Sequence, residues 1–497
     1  MGRFAVIDIG SNSVRLVVYE SRDRVPYVIF NEKVLCGLGQ GVSETGLMME
    51  ESILTALSTL RRFAMLVDKM EISDTRAIGT SAVRDAKNGP EFVERVKESS
   101  GLDVEVIDGE EEGRLAGLGV ICAFPKANGI AGDLGGGSLE LIHINNLDVC
   151  EKITLPIGPL QFQTREGEVF HTPKKEIDKA LSEVDWLENY VGRPFYAVGG
   201  SWRALAKINM LETGYRLNNI HNYRINIEDV TNLTKKLSKM TLEELQVYSG
   251  HISSRRLRVL SLSALILWRV LKKLKPSEIV VSGYGIREGI LFDGMAPPVQ
   301  NEDPLIQGCH EVAEMTGRFP EHGLRLLNWV EPLFEEESPE DKRLRLAICM
   351  LSDVGWRGHP EYRADKVISE IMYGRLIGID HRGIGLIGLA LYVCYGGTIG
   401  NERTDICMSL VSEEDVQYAR RVGLSLRLAQ RISAGTARGL NAASLEIDGN
   451  QLVLNVQPGK EELVNEVVRR RFDKLASELG LEPSVQIDET SFPEETE

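Results

Sequence analysis

The chain has 497 residues, which is room for roughly three domains at ~150 residues each. Hydrophobic residues make up 43% and charged residues 26%, a globular balance that excludes disordered, collagen-like and low-complexity classes. A formal charge of −16, from 57 basic and 73 acidic residues, argues against generic attachment to nucleic acid or to an anionic membrane. A polyanionic substrate would therefore need a local basic patch.

Two short segments hold most of this acidity. Residues 331–341 and residues 482–497 each contain six acids and no base, so they carry −12 of the −16. We interpret the first segment as a loop of a helical domain and the second as an acidic tail. Because they leave only about −4 for the remaining 470 residues, the net charge does not exclude a basic channel elsewhere.

The ends and the cysteines indicate a cytoplasmic protein. The chain opens directly on a strand pattern, without the basic and apolar segments of a secretory signal. Residues 383–400 are uncharged, but six of these 18 residues are glycine, which predicts a buried helix and turn rather than a membrane span. The seven cysteines are scattered without a Cys-x-x-Cys pair, which favours reduced thiols and argues against zinc or a disulfide framework.

The predicted elements alternate strands and helices over the first 125 residues. Strands are predicted at residues 4–7, 14–19, 25–30, 75–78 and 104–107, and helices at 52–70 and 90–99. A turn-rich break at 123–129 precedes a second α/β pattern, which begins at 130 and closes with a strand at 278–282. This alternation is typical of two α/β layers.

The remainder of the chain reads as mostly helical. After a predicted linker at Pro297-Pro298, helical periodicity extends from about 302 to 443, followed by a hairpin at 445–456 and a helix near 460–479. We therefore predict four domains: two α/β domains at 1–124 and 125–300, a helical domain at 301–443, and a small hairpin-helix segment at 444–497.

An internal repeat is the most informative feature of the sequence. Residues 4–16 (FAVIDIGSNSVRL) align with residues 129–141 (GIAGDLGGGSLEL) at an offset of 125 residues, with Asp, Gly, Ser and Leu retained. Small residues allow backbone N–H groups to converge on phosphate oxygens, and an aspartate at a strand end can hold a magnesium ion. One Asp-x-Gly turn is more often a structural hairpin, but two copies imply facing loops that clamp phosphate in a cleft.

Six motifs follow one another in order over residues 4–290: DIGSNS (8–13), GTSAVRDAKN (79–88), GEEEGRL (109–115), DLGGGSLE (133–140), GGS (199–201) and GYGIREG (283–289). They resemble the actin, sugar-kinase and heat-shock-chaperone superfamily, and more closely the exopolyphosphatase/guanosine-pentaphosphate phosphohydrolase (Ppx/GppA) family. The resemblance implies duplicated actin-like (ribonuclease H-like) α/β domains, then a helical HD-like domain and a small C-terminal α+β piece.

The resemblance also implies the catalytic base. In the family the base is the glutamate two residues before the arginine of the third motif, which here is Glu112. From the residues alone Glu110, Glu111 and Glu112 are equivalent, and a solvated acidic helix start is the competing interpretation. Arg84 resembles the family's phosphate-contacting arginine, a role that suits a guanidinium fork; an ordinary surface arginine is the alternative.

The expected ligand sets follow from the same motifs. The expected phosphate-binding residues are Ser11, Asn12, Ser13, Arg84, Gly135, Gly136, Gly137 and Ser138, and the expected metal carboxylates are Asp133, Glu140 and Asp8. Glu140 shares a strand face with Ser138, so both are expected at the cleft; an exposed strand residue is the alternative for Glu140, and a turn or capping role for Asp8. In the expected mechanism Mg²⁺, or another divalent cation, neutralises charge while Glu112 activates a water for in-line attack.

A basic segment supplies the local positive charge. Residues 253–275 contain seven basic residues and no acid, with apolar residues spaced as on one face of a helix. Arg255, Arg256 and Arg258 are expected to form the wall of a polyanion channel. A core helix with solvated basic ends is the commoner alternative.

The helical third resembles the HD phosphohydrolases. Ser352 stands where the metal-binding histidine of the His-Asp pair would be, followed by Asp353, and serine is a poor substitute for an imidazole ligand. The metal site is therefore expected to be degenerate. The resemblance to longer family members implies a role in dimerisation and in building the substrate channel.

Three functions remain open from the sequence. The first is an exopolyphosphatase that releases orthophosphate from polyphosphate chain ends, and the second is a guanosine pentaphosphate (pppGpp) 5′-phosphohydrolase with the same motifs. The third is a non-catalytic clamp that responds to nucleotide or phosphate. The basic segment and the long C-terminal extension favour polyphosphate, with a homodimer and with neither nucleic acid nor membrane as a partner.

Overall fold

The computed structural model describes residues 2–163, 173–374 and 376–487. The chain divides between Glu302 and Asp303 into two compact units. The first unit contains two mixed β-sheets with helices, and the second is mostly helical with one three-stranded sheet. The division lies two residues from the predicted boundary at 300/301; the other domain boundaries stay predictions.

The first sheet has the strand order β3-β2-β1-β4-β5. Its elements and their helices are, in chain order, β1 (Phe4–Ile9), β2 (Val14–Tyr19), β3 (Val28–Val34), α1 (Val42–Thr45), α2 (Glu50–Lys69), β4 (Asp74–Gly79), α3 (Ser81–Asp85), α4 (Gly89–Ser100), β5 (Val104–Val106) and α5 (Gly109–Ala123). β1 is the central strand, antiparallel to β2 and parallel to β4. Both faces of β1 are buried, which explains why Asp8 is its only polar residue.

The second sheet has the order β10-β11-β9-β6-β7-β8. Its elements are β6 (Asn128–Leu134), β7 (Leu139–Asn145), β8 (Asp148–Leu155), α6 (Lys174–Ser182), β9 (Phe195–Val198), α7 (Gly200–Thr213), β10 (Tyr223–Ile225), α8 (Ile227–Leu237), α9 (Leu242–Leu245), α10 (Ser254–Leu274), β11 (Ile279–Val281), α11 (Ile286–Asp293) and α12 (Pro297–Gln300). Short 3₁₀ helices span Pro159–Phe162, Asp185–Tyr190 and Gln246–Tyr248. β6 pairs antiparallel with β7 and parallel with β9.

The two sheets repeat one topology. In each, the strand that leads into the Asp-x-Gly loop is central, pairs antiparallel with the next strand and parallel with a later one. The internal repeat is therefore a structural duplication, and the loops that follow β1 and β6 lie at the carboxyl ends of parallel strands, where α/β sheets place their ligands.

The second unit begins with a run of helices and ends in a small sheet. The helices are α13 (Pro304–Thr316), α14 (His322–Val330), α15 (Pro339–Leu351), α16 (Arg363–Tyr373), α17 (His381–Cys394), α18 (Asp405–Met408), α19 (Glu413–Ser433) and α20 (Ala437–Leu440), followed by β12 (Ala443–Asp448), β13 (Gln451–Val456), α21 (Glu466–Leu479) and β14 (Glu482–Ile487). Further 3₁₀ helices lie at Glu331–Leu333, Val354–Arg357, Pro360–Tyr362 and Glu461–Leu463. The predicted fold class, two duplicated α/β domains before a helical and a small α+β region, is confirmed.

Three predicted elements differ from the structure. The third strand starts at Val28 rather than 25, because Pro26 has no N–H for the ladder, and it continues to Val34 because it pairs with β2. The two prolines at 297–298 begin the short helix α12 instead of a linker, since proline suits the first helical turn. The segment 482–487 of the predicted acidic tail is strand β14, parallel to β13; residues 488–497 lie outside the described chain.

The uncharged stretch at 383–400 forms most of helix α17, in which every residue except Arg382 is buried. The prediction of a buried helix is confirmed. Among the described residues, no helix is both long and apolar enough to cross a membrane.

Ser352 and Asp353, which stand at the position of the His-Asp pair, both form hydrogen bonds within the second unit. Ser352 Oγ donates to the Cys349 carbonyl at 2.7 Å and accepts from the Gln430 side chain at 3.0 Å. Asp353 accepts from the backbone N–H and the guanidinium of Arg318. Both side chains therefore stabilise local structure.

Candidate active site

The first Asp-x-Gly loop is a tight turn held by its own backbone. The Gly10 N–H donates to the Ser13 carbonyl at 3.0 Å, and the Ser11 carbonyl accepts from the Gly39 N–H at 2.7 Å. The Ser11 and Ser81 hydroxyls lie 2.8 Å apart, which ties this loop to the start of α3.

The second loop repeats that geometry and faces the first. The Gly135 N–H donates to the Ser138 carbonyl at 3.0 Å, as in the first loop. A Cβ added to Gly136 would lie 3.2 Å from the Ser11 Cβ and 2.8 Å from Leu160 Cδ1, so the two loops approach each other closely. Glycine at this position is favoured by that close approach rather than by an unusual φ.

A cavity of about 480 Å³ opens between the two loops. Twelve of the fifteen expected site residues line it: Asp8, Ser11, Asn12, Ser13, Glu112, Asp133, Gly135, Gly136, Glu140, Arg255, Arg256 and Arg258. Arg84, Gly137 and Ser138 are not among its lining residues. Glu140 lines the cavity, whereas the buried Ser138 is not among its lining residues, so the expectation that both reach the cleft stays a prediction for Ser138. Ser138 precedes β7, so strand alternation does not govern its direction.

The structure separates the three consecutive glutamates at the start of α5. Asp108 caps this helix by accepting from the Glu111 N–H at 2.8 Å. The Glu110 side chain is 80% exposed, and Glu111 is held by Arg114 at 2.7 Å. Only Glu112 lines the cavity. The side-chain directions therefore distinguish residues that are equivalent in the sequence.

Glu112 is largely shielded from solvent and paired with a cation. Its Oε2 accepts from Arg84 Nη1 at 2.8 Å, and its side chain is only 13% exposed. Burial raises the pKa of Glu112 to about 7, against the opposing effect of Arg84. A carboxylate with a pKa near neutrality is suited to accepting a proton at physiological pH.

Arg84 is directed to Glu112 rather than to the cavity. Besides the Glu112 contact it donates to the Ile107 carbonyl at 3.2 Å and to Asp85 at 3.2 Å. Burial opposes its charge, but Glu112 outweighs this and raises the pKa of Arg84. Its role as a direct phosphate contact stays a prediction, while its contact with Glu112 is a feature that the sequence did not indicate.

Two of the expected metal carboxylates lie side by side on neighbouring strands of the second sheet. Asp133 on β6 is the direct register partner of Glu140 on β7. Burial raises the pKa of Asp133 to about 6, and burial with the neighbouring charges of Glu112 and Asp133 raises the pKa of Glu140 well above its ordinary value. Glu140 Oε1 has no hydrogen-bond partner among the described residues.

Asp8 has a different environment. Its Oδ2 accepts from Arg287 Nη1 at 3.0 Å. Within the described chain Asp8, Asp133 and Glu140 do not place three ligand oxygens within 4.8 Å of one another.

The basic residues of the cavity come from more elements than the sequence indicated. Seven cationic side chains line it: Arg15 on β2, Lys33 on β3, Arg203 on α7, Arg287 on α11, and Arg255, Arg256 and Arg258 on α10. Four of them were not predicted as site residues, although Arg15 lies in the first repeat and Arg287 in the last motif. Because only four carboxylates line the cavity beside these seven cations, the described cavity wall has a net positive charge.

The mutual effects of these cations appear in their pKa values. Burial, with the nearby charge of Arg287, lowers the pKa of Arg203 to about 10. Desolvation and the surrounding arginines, Arg256 first, lower the pKa of Lys33 to about 8. Positive groups that repel one another in this way are stabilised by an anion, so the cavity is suited to binding one.

Three of the seven basic side chains of residues 253–275 line the cavity, and they are the three arginines expected there, near the start of helix α10. Arg269 is buried and pairs with Asp178, and Lys273 pairs with Glu188 at 2.9 Å. The apolar face predicted for this helix, including Leu257 and Leu267, is buried in the core of the second sheet.

Most of the chain matches two known protein-family models. Residues 17–297 match the model of the Ppx/GppA phosphatase family, and residues 305–484 match that of the exopolyphosphatase C-terminal domain.

Similar proteins carry different names. The chain is 25% identical over 434 residues to retrograde regulation protein 2 of Saccharomyces cerevisiae, covering 79% of this chain and 73% of that protein. It is 25% identical over 379 residues to guanosine-5′-triphosphate,3′-diphosphate pyrophosphatase of Pseudoalteromonas atlantica, covering 72% and 73%. The crystal structure of an exopolyphosphatase from Cytophaga hutchinsonii aligns with a TM-score of 0.53 at 29% identity, covering 59% of this chain and 99% of that one.

Proposed function

Because the chain belongs to the Ppx/GppA phosphatase family, we propose that it is an exopolyphosphatase that hydrolyses the terminal phosphoanhydride bond of inorganic polyphosphate. The observation that carries the proposal is the cavity itself: Glu112, with a pKa near 7, faces seven cationic side chains and two glycine-rich loops. A buried base beside a positive wall matches a polyanion that is attacked by water.

The proposed mechanism assigns four tasks to this chain. The backbone and hydroxyl groups of residues 11–13 and 135–138 hold the terminal phosphates, and the arginines of the cavity neutralise their oxygens. Glu112 orients a water and takes its proton as the new O–P bond forms and the bridging P–O bond breaks. Arg84 keeps the Glu112 carboxylate in position through the 2.8 Å contact.

A divalent cation fits the donor set of the site. Asp133 and Glu140, with Asp8 nearby, are the hard oxygen ligands that would hold Mg²⁺, and the unpartnered Glu140 Oε1 is available to it. When bound, the ion would supply positive charge to the phosphate oxygens.

Guanosine pentaphosphate is the second candidate substrate, and the pyrophosphatase relative from Pseudoalteromonas atlantica favours it. The described lining residues include no phenylalanine, tyrosine or tryptophan. Because aromatic side chains commonly stack on nucleobases, this composition favours an inorganic chain over a nucleotide. The proposal therefore keeps polyphosphate as the main substrate.

The location and assembly belong to the same proposal. All seven cysteines are free thiols, which supports a cytoplasmic location. A homodimer built with the helical unit stays a prediction from the resemblance to longer family members.

The test is phosphate release measured side by side from long-chain polyphosphate and from pppGpp, each with Mg²⁺. We expect faster release, compared by kcat/KM, from polyphosphate. Faster release from pppGpp would make pppGpp the main substrate in place of polyphosphate. Release from neither compound would favour a non-catalytic clamp.

A further inference from the structure

A second cluster of metal-ligand side chains lies in the first unit, on the edge hairpin β7–β8. His143 Nδ1, Cys150 Sγ and a carboxylate oxygen of Glu151 all lie within 4.8 Å of one another. None of the three lines the cavity described above. The hydrolysis mechanism therefore leaves this cluster without a role.

A β-bulge creates the cluster. Ile142 pairs with Lys152 and Ile144 with Val149, so both Cys150 and Glu151 stand opposite the single residue His143. In a regular strand two consecutive side chains point to opposite faces of the sheet. The extra residue of the bulge changes the direction of one of these two side chains. The Cys150 thiol and the Glu151 carboxylate therefore both lie near the His143 imidazole.

The imidazole and the carboxylate are fixed by neighbouring contacts, and the thiol is accessible from solvent. His143 is buried, stacks on the Tyr190 ring at 3.7 Å between centroids, and its Nδ1 lies 2.7 Å from Glu151 Oε2. Tyr190 donates its hydroxyl proton to Glu151 Oε1 at 3.0 Å, which orients the carboxylate. Cys150 is the one exposed cysteine among the seven, so an ion can reach the site from solvent.

We propose that His143, Cys150 and Glu151 form a binding site for a borderline transition-metal cation such as Zn²⁺, separate from the phosphate-binding cavity. Thiolate, imidazole and carboxylate are zinc ligands, whereas Mg²⁺ prefers oxygen alone. Three protein ligands leave a fourth position open to water. Binding displaces the thiol proton of Cys150, and the His143–Glu151 contact widens to roughly 3.3 Å around bonds of ~2.0–2.2 Å.

The test uses the full-length protein, stripped of metal and then kept in excess Mg²⁺ so that the oxygen ligands of the cavity are occupied. Titration with Co²⁺ should produce a thiolate-to-cobalt charge-transfer band that saturates at one equivalent and disappears when Zn²⁺ is added. The Cys150→Ser variant should lose the band. Its Zn²⁺ affinity, measured against a chromophoric chelator, should fall by more than the ~10–100-fold typical of losing an outer partner of a site.

Two further variants separate ligation from general damage. Tyr190→Phe should keep the band and bind Zn²⁺ ~10–100-fold more weakly, because the carboxylate loses its orienting partner. Asp148→Asn removes an exposed carboxylate from the same strand and should leave the affinity unchanged. A band that persists in Cys150→Ser, or no band in the wild-type chain, would overturn the proposal.

Should a variant fail to fold, wild-type protein provides an independent measurement. One equivalent of Zn²⁺ should protect Cys150 from alkylation by iodoacetamide, read by mass spectrometry at that residue. Alkylation at an unchanged rate would count against the site. Neither result bears on phosphate release, so this inference and the proposed hydrolase activity stand or fail separately.

Discussion

Three consecutive glutamates begin helix α5, and their environments differ more than their shared charge suggests. The Glu110 side chain is 80% exposed, with Lys152 Nζ 3.7 Å away, and Glu111 pairs with Arg114, which also binds Asp293 at 2.8 Å. Glu112 is buried beside Arg84 with its pKa raised to about 7. The position of one side chain within a single helical turn thus decides which carboxylate is available as a base.

Replacing Glu112 with glutamine removes the proton acceptor while keeping the shape of the side chain. We expect kcat for phosphate release to fall by ~10²–10⁴-fold, the usual contribution of a general base, with little change in polyphosphate binding. The matched control is Glu110→Gln, which changes the same residue type in solvent and should leave kcat unchanged. Wild-type rates in Glu112→Gln would remove this residue from the mechanism.

The pH dependence of the rate follows from the ionisation of Glu112. A base works only when deprotonated, so kcat/KM should rise with pH and level off above the pKa of about 7. Because Arg84 stabilises the carboxylate and lowers its pKa, Arg84→Gln should move the rising limb to higher pH by about 1 unit or more. An unshifted limb in this variant would show that another group controls the profile.

At the scale of elements, the start of helix α10 forms one wall of the cavity. A Cβ on Gly37 would lie 2.7 Å from Arg255 Nη2, so this glycine, with φ +69°, leaves the space that the guanidinium occupies. The opposite end of the same helix is committed to ion pairs such as Lys273–Glu188. The helix therefore has one end available to a ligand and one end that stabilises the fold.

Charge reversal of Arg255, Arg256 and Arg258 to glutamate should weaken binding of long polyphosphate chains more than short ones. Long chains reach beyond the terminal phosphates held by the loops, so they depend most on this wall. KM measured for chains of graded length would test this. Lys272→Glu, an exposed position at the other end of α10, is the control and should behave as wild type. Equal losses at all lengths would contradict the channel.

Over the whole molecule, a positive cavity coexists with a strongly negative chain. Seven cations face four carboxylates in the described cavity wall, while the net charge is −16. The surface as a whole repels polyanions, so attraction has to come from the cavity and act over a short range. This arrangement restricts binding to chains that enter the cavity.

A change in ionic strength should show how much electrostatic attraction by the cavity contributes to binding of polyphosphate. Raising salt from ~0.1 M to ~1 M shortens the Debye length from ~10 Å to ~3 Å, so KM for long-chain polyphosphate should rise while kcat changes little. The triple charge-reversal variant of α10 should show a weaker salt dependence. If KM is insensitive to salt in the wild-type chain, electrostatic guidance is not part of binding.

The sequence by itself determined the duplicated fold and the places where the loops occur. The pattern of strand, Asp-x-Gly turn and strand is local, and its second copy 125 residues later carries the same information, so periodicity and turn chemistry were enough. Local patterns also predicted α17 and the hairpin β12–β13.

Only the tertiary structure decided which side chains meet. Arg15, Lys33, Arg203 and Arg287 come from four elements, so no local spacing links them to one cavity. The same holds for β14, whose strand state depends on pairing with β13, and for Cys150, which reaches His143 through a bulge. The physical reason is common to all three cases: the direction and burial of a side chain are set by packing between distant segments, whereas a sequence pattern reports only on neighbours along the chain.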